Sequence, residues 1–527
     1  MQEQFSKGNL TRLDQLAAAV FDFPADVAAI EFEHDWLTWG DLAQLADQVG
    51  ALLAASEVAA GSKVALVSRN HPAILAAFIK LVSGGFCVQM IYPFQSPQGI
   101  AEALKAGKPA AVLAMSEDFS SEMREAVVQQ DMAAIGFDAF TAYAENAPDK
   151  SARDNSVGDE QTHDLSDDIS DKQADQLPGQ LTIDLLTSGT TGKPKPFSIS
   201  FDSVVRDINA ALAAAPSPGH SDQREPALLY FPIGNISGLY STLPAILSGR
   251  RIVLLERFNI HDWRDFVVKY RPVAGGLPPA GIQMLLDEEV AKEDLASLRM
   301  IGAGAAPLDP EVQKTFQDKY NIPILLAYGA TEFGGPVVRM TPDLYQAEGK
   351  QKLGSVGKPM AGVKLRVIDP NRGEELKAGQ EGILEVVSPR IGEHWIRTTD
   401  LAVIDDDGYL FIRGRADGAI FRGGFKILPE TVEQALVQHP AVSAAAVVGI
   451  KDHRLGQVPV AAVVLKEGAK EGAKEGACAV TEEQLKPFLR ERVLATHIPT
   501  QWRFVKALPR TELSYKVNQS AVRALFE

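Results

Sequence analysis

The sequence predicts an α/β protein with a large N-terminal domain built on α/β sheets and a small α+β C-terminal domain. Strand-like and helix-like segments alternate over residues 37–327, and such alternation is typical of parallel sheets. Near residue 400 the pattern changes to strand–turn–strand, and the residues beyond it have an order of their own. Of the 527 residues, 46% are apolar and 23% are charged, which excludes a wholly disordered or fibrous chain.

Local signals predict the N-terminal elements in order. A helical pattern over 37–55 begins around Thr38, an apolar strand follows at 64–67, and Pro72 lies in the first turn of an apolar helix, which proline tolerates. That helix ends at Gly84. Further strands are predicted at 86–91, 181–187, 228–231, 251–255, 298–301 and 322–327.

The C-terminal domain is predicted to cover 417–527, which leaves 1–416 to the N-terminal domain. Residues 401–404 and 409–412 fit two strands joined by an Asp-Gly turn. The later signals are a helix after Pro429, strands at 444–448 and 459–465, and a capping box formed by Thr481 and Gln484.

Two segments interrupt these patterns. Residues 151–178 carry eight acidic and two basic side chains and almost no large apolar ones, so we expect a solvated, mobile loop rather than an acidic docking site. Residues 467–477 repeat EGAK, and a glycine at every fourth position weakens a helix, so a loop extension is expected there.

Charge and cysteine content restrict the partners and the compartment. With 52 basic and 68 acidic side chains the net charge is −16, which disfavours general nucleic-acid binding and binding to anionic membranes. No apolar stretch approaches the roughly 18 residues of a membrane span. Cys87 and Cys478 cannot form a disulfide framework, and two free thiols suit a reducing cytosol. Since the N-terminus has no signal-peptide pattern, we expect a cytoplasmic protein.

The clearest chemical signal is the string SGTTGKPK at 188–195, directly after an apolar run. Two glycines allow backbone N–H groups to face an anion, and three hydroxyls and two lysines add donors and positive charge. The glycine spacing and the proline after Lys193 exclude a Walker A loop. The composition predicts a phosphate-binding loop.

This string resembles the signature of the adenylate-forming superfamily, which includes acyl-CoA synthetases, adenylation domains of peptide synthetases and beetle luciferases. Six further motifs resemble the family in order along the chain. They are RMIGAGAAPL at 299–308, YGATE at 328–332, GSVGKP at 354–359, TDL at 399–401, GRAD at 414–417, and LPRT at 508–511 followed by Lys516. The resemblance implies ATP-dependent activation of a carboxylate and a mobile C-terminal domain.

The resemblance also implies a nucleotide site. Its residues are Ser188, Gly189, Thr190, Thr191, Gly192, Lys193, Gly304, Ala305, Ala306, Tyr328, Gly329, Asp400 and Arg415. A carboxylate can accept hydrogen bonds from both ribose hydroxyls, which suits Asp400, and Tyr328 is expected to stack on the base. Thr190 and Glu332 are expected to hold Mg²⁺, a hard cation that prefers oxygen ligands.

The same resemblance also implies catalytic residues, a hinge residue and residues that border the CoA tunnel. When a carboxylate attacks the α-phosphorus of ATP, negative charge grows on the phosphoryl oxygens, and Lys516 is expected to stabilise it together with Thr331 and Glu332. Asp417 is expected to be the hinge of the C-terminal domain. The residues expected to border the CoA tunnel are Gly423, Gly424 and Phe425.

The implied acyl-binding residues depart from the family pattern at two positions. These residues are Asn235, Ile236, Gly302 and Ala303. Asn235 stands where the family usually has an aromatic residue or histidine. Ile236 stands where amino-acid-activating relatives usually have Asp, and it would leave a substrate ammonium unpaired. A non-amino carboxylic acid is therefore favoured. Tyr515 and Gly418 are further departures, next to Lys516 and the hinge.

The leading hypothesis is an ATP-dependent carboxylate–CoA ligase that uses ATP, CoA and Mg²⁺ and passes through an acyl-adenylate. One alternative is a stand-alone adenylating enzyme that loads the phosphopantetheine of a carrier protein. Another is a non-catalytic nucleotide-binding relic. The sequence leaves the carboxylic acid and the oligomeric state open.

Overall fold

A computed structural model describes residues 12–93, 95, 97–145, 180–186, 196–214, 224–306, 308–422, 425–452, 456–466, 470–471, 479–511 and 516–527. The chain divides into two compact units, Met1–Arg271 and Pro272–Glu527. The predicted loop at 151–178 lies outside the described residues, as does most of the repeat at 467–477.

The first unit is built on two sheets. Its described strands are β1 (Ala28–Phe32), β2 (Asp35–Thr38), β3 (Lys63–Val67), β4 (Cys87–Ile91), β5 (Ala111–Met115), β6 (Ala133–Asp138), β7 (Thr141–Ala144), β8 (Thr182–Leu186), β9 (Pro196–Ser200), β10 (Ala227–Leu229) and β11 (Ile252–Leu254). Seven strands form one sheet in the order β7-β6-β5-β3-β4-β8-β9. Its five inner strands are parallel, and both edge strands are antiparallel. The other sheet has the order β10-β11-β1-β2.

The helices of the first unit are α1 (Leu13–Ala18), α2 (Trp39–Ala55), α3 (Pro72–Ser83), α4 (Pro97–Gly107), α5 (Ser121–Gln129), α6 (Phe201–Ala214), α7 (Ile236–Leu247) and α8 (Ile260–Tyr270). Helix α2 begins with a capping box, in which Thr38 Oγ1 accepts from Asp41 N and the Asp41 carboxylate accepts from Thr38 N. Helix α3 is apolar on nearly all sides and therefore buried, packing on α1, α2 and the strands β3, β4 and β5.

The second unit contains three larger sheets and a two-stranded one. Its described strands are β12 (Ala274–Leu277), β13 (Met300–Ala303), β14 (Ile324–Ala330), β15 (Gly335–Arg339), β16 (Lys358–Pro359), β17 (Lys364–Ile368), β18 (Gly382–Val387), β19 (Ile396–Ile404), β20 (Leu410–Arg415), β21 (Ile420–Arg422), β22 (Phe425–Ile427), β23 (Val442–Asp452), β24 (Gly456–Leu465), β25 (Lys470–Glu471), β26 (Ala479–Val480) and β27 (Gln501–Phe504). Its helices are α9 (Pro279–Asp287), α10 (Pro310–Tyr320), α11 (Pro342–Leu344), α12 (Pro429–Val437), α13 (Glu482–Arg490) and α14 (Gln519–Arg523).

The strand orders in the second unit are β12-β13-β14-β15-β16, β17-β18-β19-β20 and β22-β21-β24-β23, with β27 paired to β24 and β25 paired to β26. Strands β12, β13 and β14 are parallel, as the sequence pattern predicts. Strands β17 to β20 are antiparallel. The predicted Asp-Gly turn joins β19 to β20, and Gly408 adopts a positive φ there.

Residues after 420 have hydrophobic clusters of their own. Alternate residues of β23 and β24 point to opposite faces of the sheet. Val447 and Val463 belong to one cluster, which α12 and α13 cover, and Val448 and Val460 belong to another. The predicted domain boundary at 416/417 precedes both clusters and stays a prediction.

Two strands start two residues later than the sequence pattern predicts. Strand β13 begins at Met300 rather than 298, because Leu298 N donates to Leu295 O in a turn. Strand β14 begins at Ile324 and continues to Ala330, because its end pairs with β15. Tertiary pairing, which a local pattern does not contain, sets these bounds.

Candidate active site

The predicted phosphate-binding loop connects two paired strands. Its residues 188–193, including Thr190 of the predicted Mg²⁺ site, lie outside the described residues. On either side, β8 and β9 are antiparallel, with Leu186 opposite Pro196. The loop therefore starts and returns at the carboxyl end of β8, and ligands of α/β proteins bind at such ends.

A buried ion pair fixes the strand that enters this loop. Lys63 Nζ lies 2.9 Å from an Asp184 carboxylate oxygen, and Thr182 Oγ1 donates to the other oxygen at 3.1 Å. The Asp184 side chain is only 7% exposed. Sequence reasoning missed this pair. The available signal was an acidic residue within an otherwise apolar strand, since buried carboxylates need partners.

The loop after β13 carries the predicted residues Gly304, Ala305 and Ala306. Ala305 has φ +66°, a left-handed conformation that is unfavourable for alanine. A Cβ on Gly304 would lie 3.0 Å from Ala327 O, so the loop runs close to β14. Strained backbone of this kind clusters at ligand-binding sites.

Gly302 and Ala303, predicted to bind the acyl group, end strand β13. Gly302 is exposed and pairs in register with Gly276 on β12. A Cβ on Gly302 would meet only Gly275 O, at 3.9 Å. The space beside the Cα of Gly302 is therefore open within the described residues.

Strand β14 and the turn after it hold the YGATE motif. Gly329 packs against backbone, since a Cβ there would lie 2.5 Å from both Gly335 O and Pro336 Cα. Thr331 is partly buried and Glu332 is exposed, and both lie in a short 3-10 turn. This motif thus requires glycine at 329 for packing.

Tyr328 and Asp400 meet across two sheets. Tyr328 Oη donates a hydrogen bond to Asp400 Oδ2 at 2.5 Å, although the residues are 72 positions apart. Asp400 N donates to Thr398 Oγ1 at 3.0 Å, and Thr398 Oγ1 donates to Leu384 O at 2.8 Å. The backbone of Arg415 lies opposite Asp400 in the β19–β20 ladder. The structure therefore brings together three predicted nucleotide-site residues.

The predicted hinge residue, Asp417, lies two residues after Arg415. Asp417 lies in a short 3-10 turn between β20 and β21. Gly414 just before it has φ +142°, and a Cβ there would lie 2.8 Å from Glu430 Oε2 at the start of α12. One turn further along α12, Glu433 accepts a hydrogen bond from Val447 N at 2.8 Å.

The environment of Glu433 changes its acidity. Burial, which disfavours the charged carboxylate, raises the pKa of Glu433 to about 8; the hydrogen bond from Val447 opposes this rise, and the charge of Glu430 adds to it. Burial therefore favours the protonated form of Glu433.

The predicted CoA-tunnel residues lie between β21 and β22. Gly423 and Gly424 lie outside the described residues, and Phe425 begins β22. Arg422, at the end of β21, donates to Thr496 O at 2.6 Å. This bond ties the turn end of the hairpin to the segment that precedes β27.

Lys516 is exposed in the C-terminal segment. Thr511 N donates to Lys516 O at 2.7 Å, and Arg510 forms a β-bridge with Val517. The chain therefore folds back on itself between the LPRT motif and the lysine. Tyr515, the departure next to it, lies outside the described residues.

Asn235 and Ile236, predicted to bind the acyl group, lie at the start of α7. Asn235 Oδ1 accepts from Gly238 N at 2.7 Å and caps the helix. Ile236 is partly buried against the core of the first unit. Asn235, which departs from the family pattern, therefore acts as the cap of α7 in this structure.

Asn70 holds the segment before this helix, and sequence reasoning missed it. Its Nδ2 donates to Phe231 O at 3.2 Å and Leu255 O at 3.1 Å, and its Oδ1 accepts from Ile233 N at 3.2 Å. Asn70 is 4% exposed. A signal was present, because an asparagine that follows a buried strand must have hydrogen-bond partners.

The described residues contain no group of three or more His, Cys, Asp and Glu side chains placed to hold a metal ion. Within the same residues, no helix has the length and apolar character needed to cross a membrane.

Family models match most of the chain. The model for the AMP-binding enzyme matches residues 16–393, and the model for the AMP-binding enzyme C-terminal domain matches residues 431–514.

Individual relatives agree with these matches. The chain is 27% identical over 512 residues to 4-coumarate–CoA ligase 3 of Oryza sativa subsp. japonica, covering 92% of this chain and 87% of the relative. It is 26% identical over 506 residues to 4-coumarate–CoA ligase 2 of Nicotiana tabacum, covering 92% and 89%.

Solved structures share the fold. ATP-bound MatB from Rhodopseudomonas palustris has a TM-score of 0.76 at 21% identity, covering 97% of this chain and 99% of that one. The o-succinylbenzoate CoA synthetase MenE from Bacillus subtilis, in complex with the acyl-adenylate OSB-AMP, has a TM-score of 0.73 at 23% identity, covering 96% and 97%. The predicted fold class and superfamily are thereby confirmed, and the chain belongs to the AMP-binding enzyme family.

Proposed function

We propose that this protein is an ATP-dependent carboxylate–CoA ligase that works through an acyl-adenylate. The observation that carries the proposal is the meeting of Tyr328 and Asp400, opposite the backbone of Arg415, in a chain of the AMP-binding enzyme family. The predicted enzyme class, an AMP-forming acid–thiol ligase, is supported by the family and by relatives named as CoA ligases.

In the first half-reaction a carboxylate oxygen attacks the α-phosphorus of ATP, and the bond to pyrophosphate breaks. The products are an acyl-adenylate and pyrophosphate. Asp400 accepts hydrogen bonds from the ribose, and the loop 188–193 and the loop at Gly304 hold phosphates and base. Lys516 and Thr331 stabilise charge on the phosphoryl oxygens, since donors aimed at developing charge supply much of such catalysis.

Glu332 fits Mg²⁺ as an exposed carboxylate next to the nucleotide motif, and we propose Thr190 as the other protein group. When bound, the cation would offset the negative charge of the phosphates.

In the second half-reaction the thiolate of CoA attacks the acyl carbon, the bond to AMP breaks, and a thioester and AMP result. We propose that residues 417–527 rotate about Asp417 between the two steps. The separate hydrophobic clusters after residue 420 support a C-terminal domain that can move as one piece. Gly423, Gly424 and Phe425 would then border the pantetheine path.

We expect the substrate to be a non-amino carboxylic acid. Ile236 offers no charge for an ammonium group, and Gly302 on β13 has open space beside its Cα. The plant relatives are named for 4-coumarate, so aryl acids belong in the test beside fatty and short branched acids.

The experiment is a measurement of pyrophosphate and AMP release over this panel, with CoA, with a carrier protein, and with neither. CoA-dependent AMP release with one acid class supports the proposal. Adenylation with transfer only to a carrier protein would favour the stand-alone adenylating enzyme. Absence of pyrophosphate exchange with every acid would favour the nucleotide-binding relic.

A further inference from the structure

The hydroxyl of Tyr328 has a partner that base stacking does not require. Stacking uses the face of the ring, whereas the Tyr328 hydroxyl lies 2.5 Å from Asp400 Oδ2. Tyr328 is on β14 and Asp400 is on β19, which belong to different sheets. The bond therefore fixes the position of the carboxylate relative to the YGATE motif.

Both ends of this bond are held in place. The Tyr328 ring packs against the cluster that includes Val337 and Leu384, and its centroid lies 5.9 Å from that of Phe333. The backbone of Asp400 is anchored through Thr398, as described above. With the ring and the backbone fixed, a hydrogen bond to Oδ2 also sets the rotation of the carboxylate.

We infer that Tyr328 is a positioning residue that orients Asp400 for the ribose hydroxyls of ATP. An ionised carboxylate has about four lone-pair sites, and the Tyr328 hydroxyl uses one of them. A carboxylate that accepts from Tyr328 can also accept from further donors, such as the ribose hydroxyls. This inference rests on the proposed function, because it takes Asp400 as the ribose-binding group.

The inference predicts that the effect of removing the Tyr328 hydroxyl depends on whether the nucleotide has ribose hydroxyls. Tyr328→Phe keeps the ring, its packing and any stacking, and removes only the donor. Hydrogen bonds to charged groups are stronger than neutral ones, so we expect KM for ATP to rise by about tenfold while kcat changes little. With 2′,3′-dideoxy-ATP, which has no hydroxyls for Asp400, the same substitution should change KM less than about twofold.

The experiment compares wild type, Tyr328→Phe, Asp400→Ala and the double variant in pyrophosphate release with ATP and with 2′,3′-dideoxy-ATP. Addition of Tyr328→Phe to Asp400→Ala should have no further effect on KM, because the group to be positioned is absent. Tyr320→Phe is the matched control, since it loses a buried hydroxyl that donates to Leu285 O and Val290 O. Tyr320→Phe should lower the melting temperature, but its KM values for ATP and for the dideoxy analogue should not change relative to each other.

The outcomes separate the inference from the proposed function. An equal rise of KM for ATP and for the dideoxy analogue in Tyr328→Phe, or no rise for either, overturns the positioning role. An unchanged KM for ATP in folded Asp400→Ala overturns the ribose role itself. If Tyr328→Phe does not fold, Tyr328→Leu also removes the donor, and its KM is expected to show the same difference between ATP and the dideoxy analogue.

Discussion

The Lys63 ammonium lies 2.9 Å from the Asp184 carboxylate across the seven-stranded sheet, with strand β4 between their strands. The carboxylate is nearly inaccessible, whereas the lysine side chain is 38% exposed. Because Asp184 lies two residues before the end of β8, the pair anchors the strand that delivers the phosphate-binding loop.

We expect Asp184→Ala to lower the free energy of unfolding by about 1–3 kcal/mol, since Lys63 loses its ion-pair partner and the buried Thr182 hydroxyl loses its acceptor. The partial exposure of Lys63 keeps the loss below that of a fully buried charge. Urea denaturation followed by circular dichroism measures it. Asp318→Ala, which breaks the exposed Lys314–Asp318 pair, should cost less than about 0.5 kcal/mol. Equal losses in the two variants would contradict the anchoring role.

A second prediction concerns the cap of α7. Asn235→Ala should destabilise the protein by about 1 kcal/mol, because Gly238 N loses its acceptor. Asn235→Ser and Asn235→Asp retain a capping oxygen and should lose little stability. Melting curves test this, and the acid panel run on the same variants tests acyl binding. A changed acid preference in the well-folded Ser variant would show that the amide also contacts the substrate.

A third prediction concerns pH. The pKa of Glu433 is about 8 in the folded protein, against an ordinary value of 4.5. Between these values the folded state holds one more proton than the unfolded state, so the contribution of Glu433 to stability falls as pH rises from 4.5 to 8.

Glu433→Gln should therefore be about as stable as wild type near pH 5 and more stable, by about 3–5 kcal/mol, near pH 8.5. Its amide oxygen can still accept from Val447 N. Thermal melts at the two pH values measure the difference. Glu491→Gln is the control, because it changes an exposed glutamate of the second unit. Parallel pH profiles for wild type and Glu433→Gln would refute the assignment.

A fourth prediction concerns Lys516. Lys516→Ala should slow adenylation by at least about a hundredfold, because one transition-state donor is typically worth about 3 kcal/mol. Thioester formation from a supplied acyl-adenylate should remain nearly intact. Rapid-quench measurement of each half-reaction separates the two. Lys506→Ala, which removes another lysine from the C-terminal segment, is the control. Normal pyrophosphate release in folded Lys516→Ala protein would remove the lysine from the mechanism.

A fifth prediction tests domain rotation. Asp417→Pro fixes φ and removes a backbone donor at the hinge, and Gly424→Trp should fill the thiol path. Both variants should keep single-turnover pyrophosphate release and lose thioester formation. Circular dichroism checks that each variant is folded. If the rates of both half-reactions fall equally in folded protein, rotation about Asp417 is contradicted.

Local features of this fold were predictable from the sequence, and features that join distant residues were not. The capping box of Thr481 and Gln484 and the proline start of α3 depend on neighbours in the chain, and the structure contains both. The contact between Tyr328 and Asp400 depends on sheet order, and no local pattern encodes it. The motifs identified the residues, but only the fold shows which of them touch.

The three hydrogen bonds of Asn70 have a consequence for how the first unit opens. One amide joins the end of β3, in the seven-stranded sheet, to the ends of β10 and β11, in the four-stranded sheet. If the two sheets separate here, the Asn70 side chain and the backbone groups that it binds lose their hydrogen-bond partners, which costs free energy. In hydrogen–deuterium exchange the amides of β3 and β11 should therefore exchange in the same cooperative opening, and Asn70→Ala should divide that opening into two.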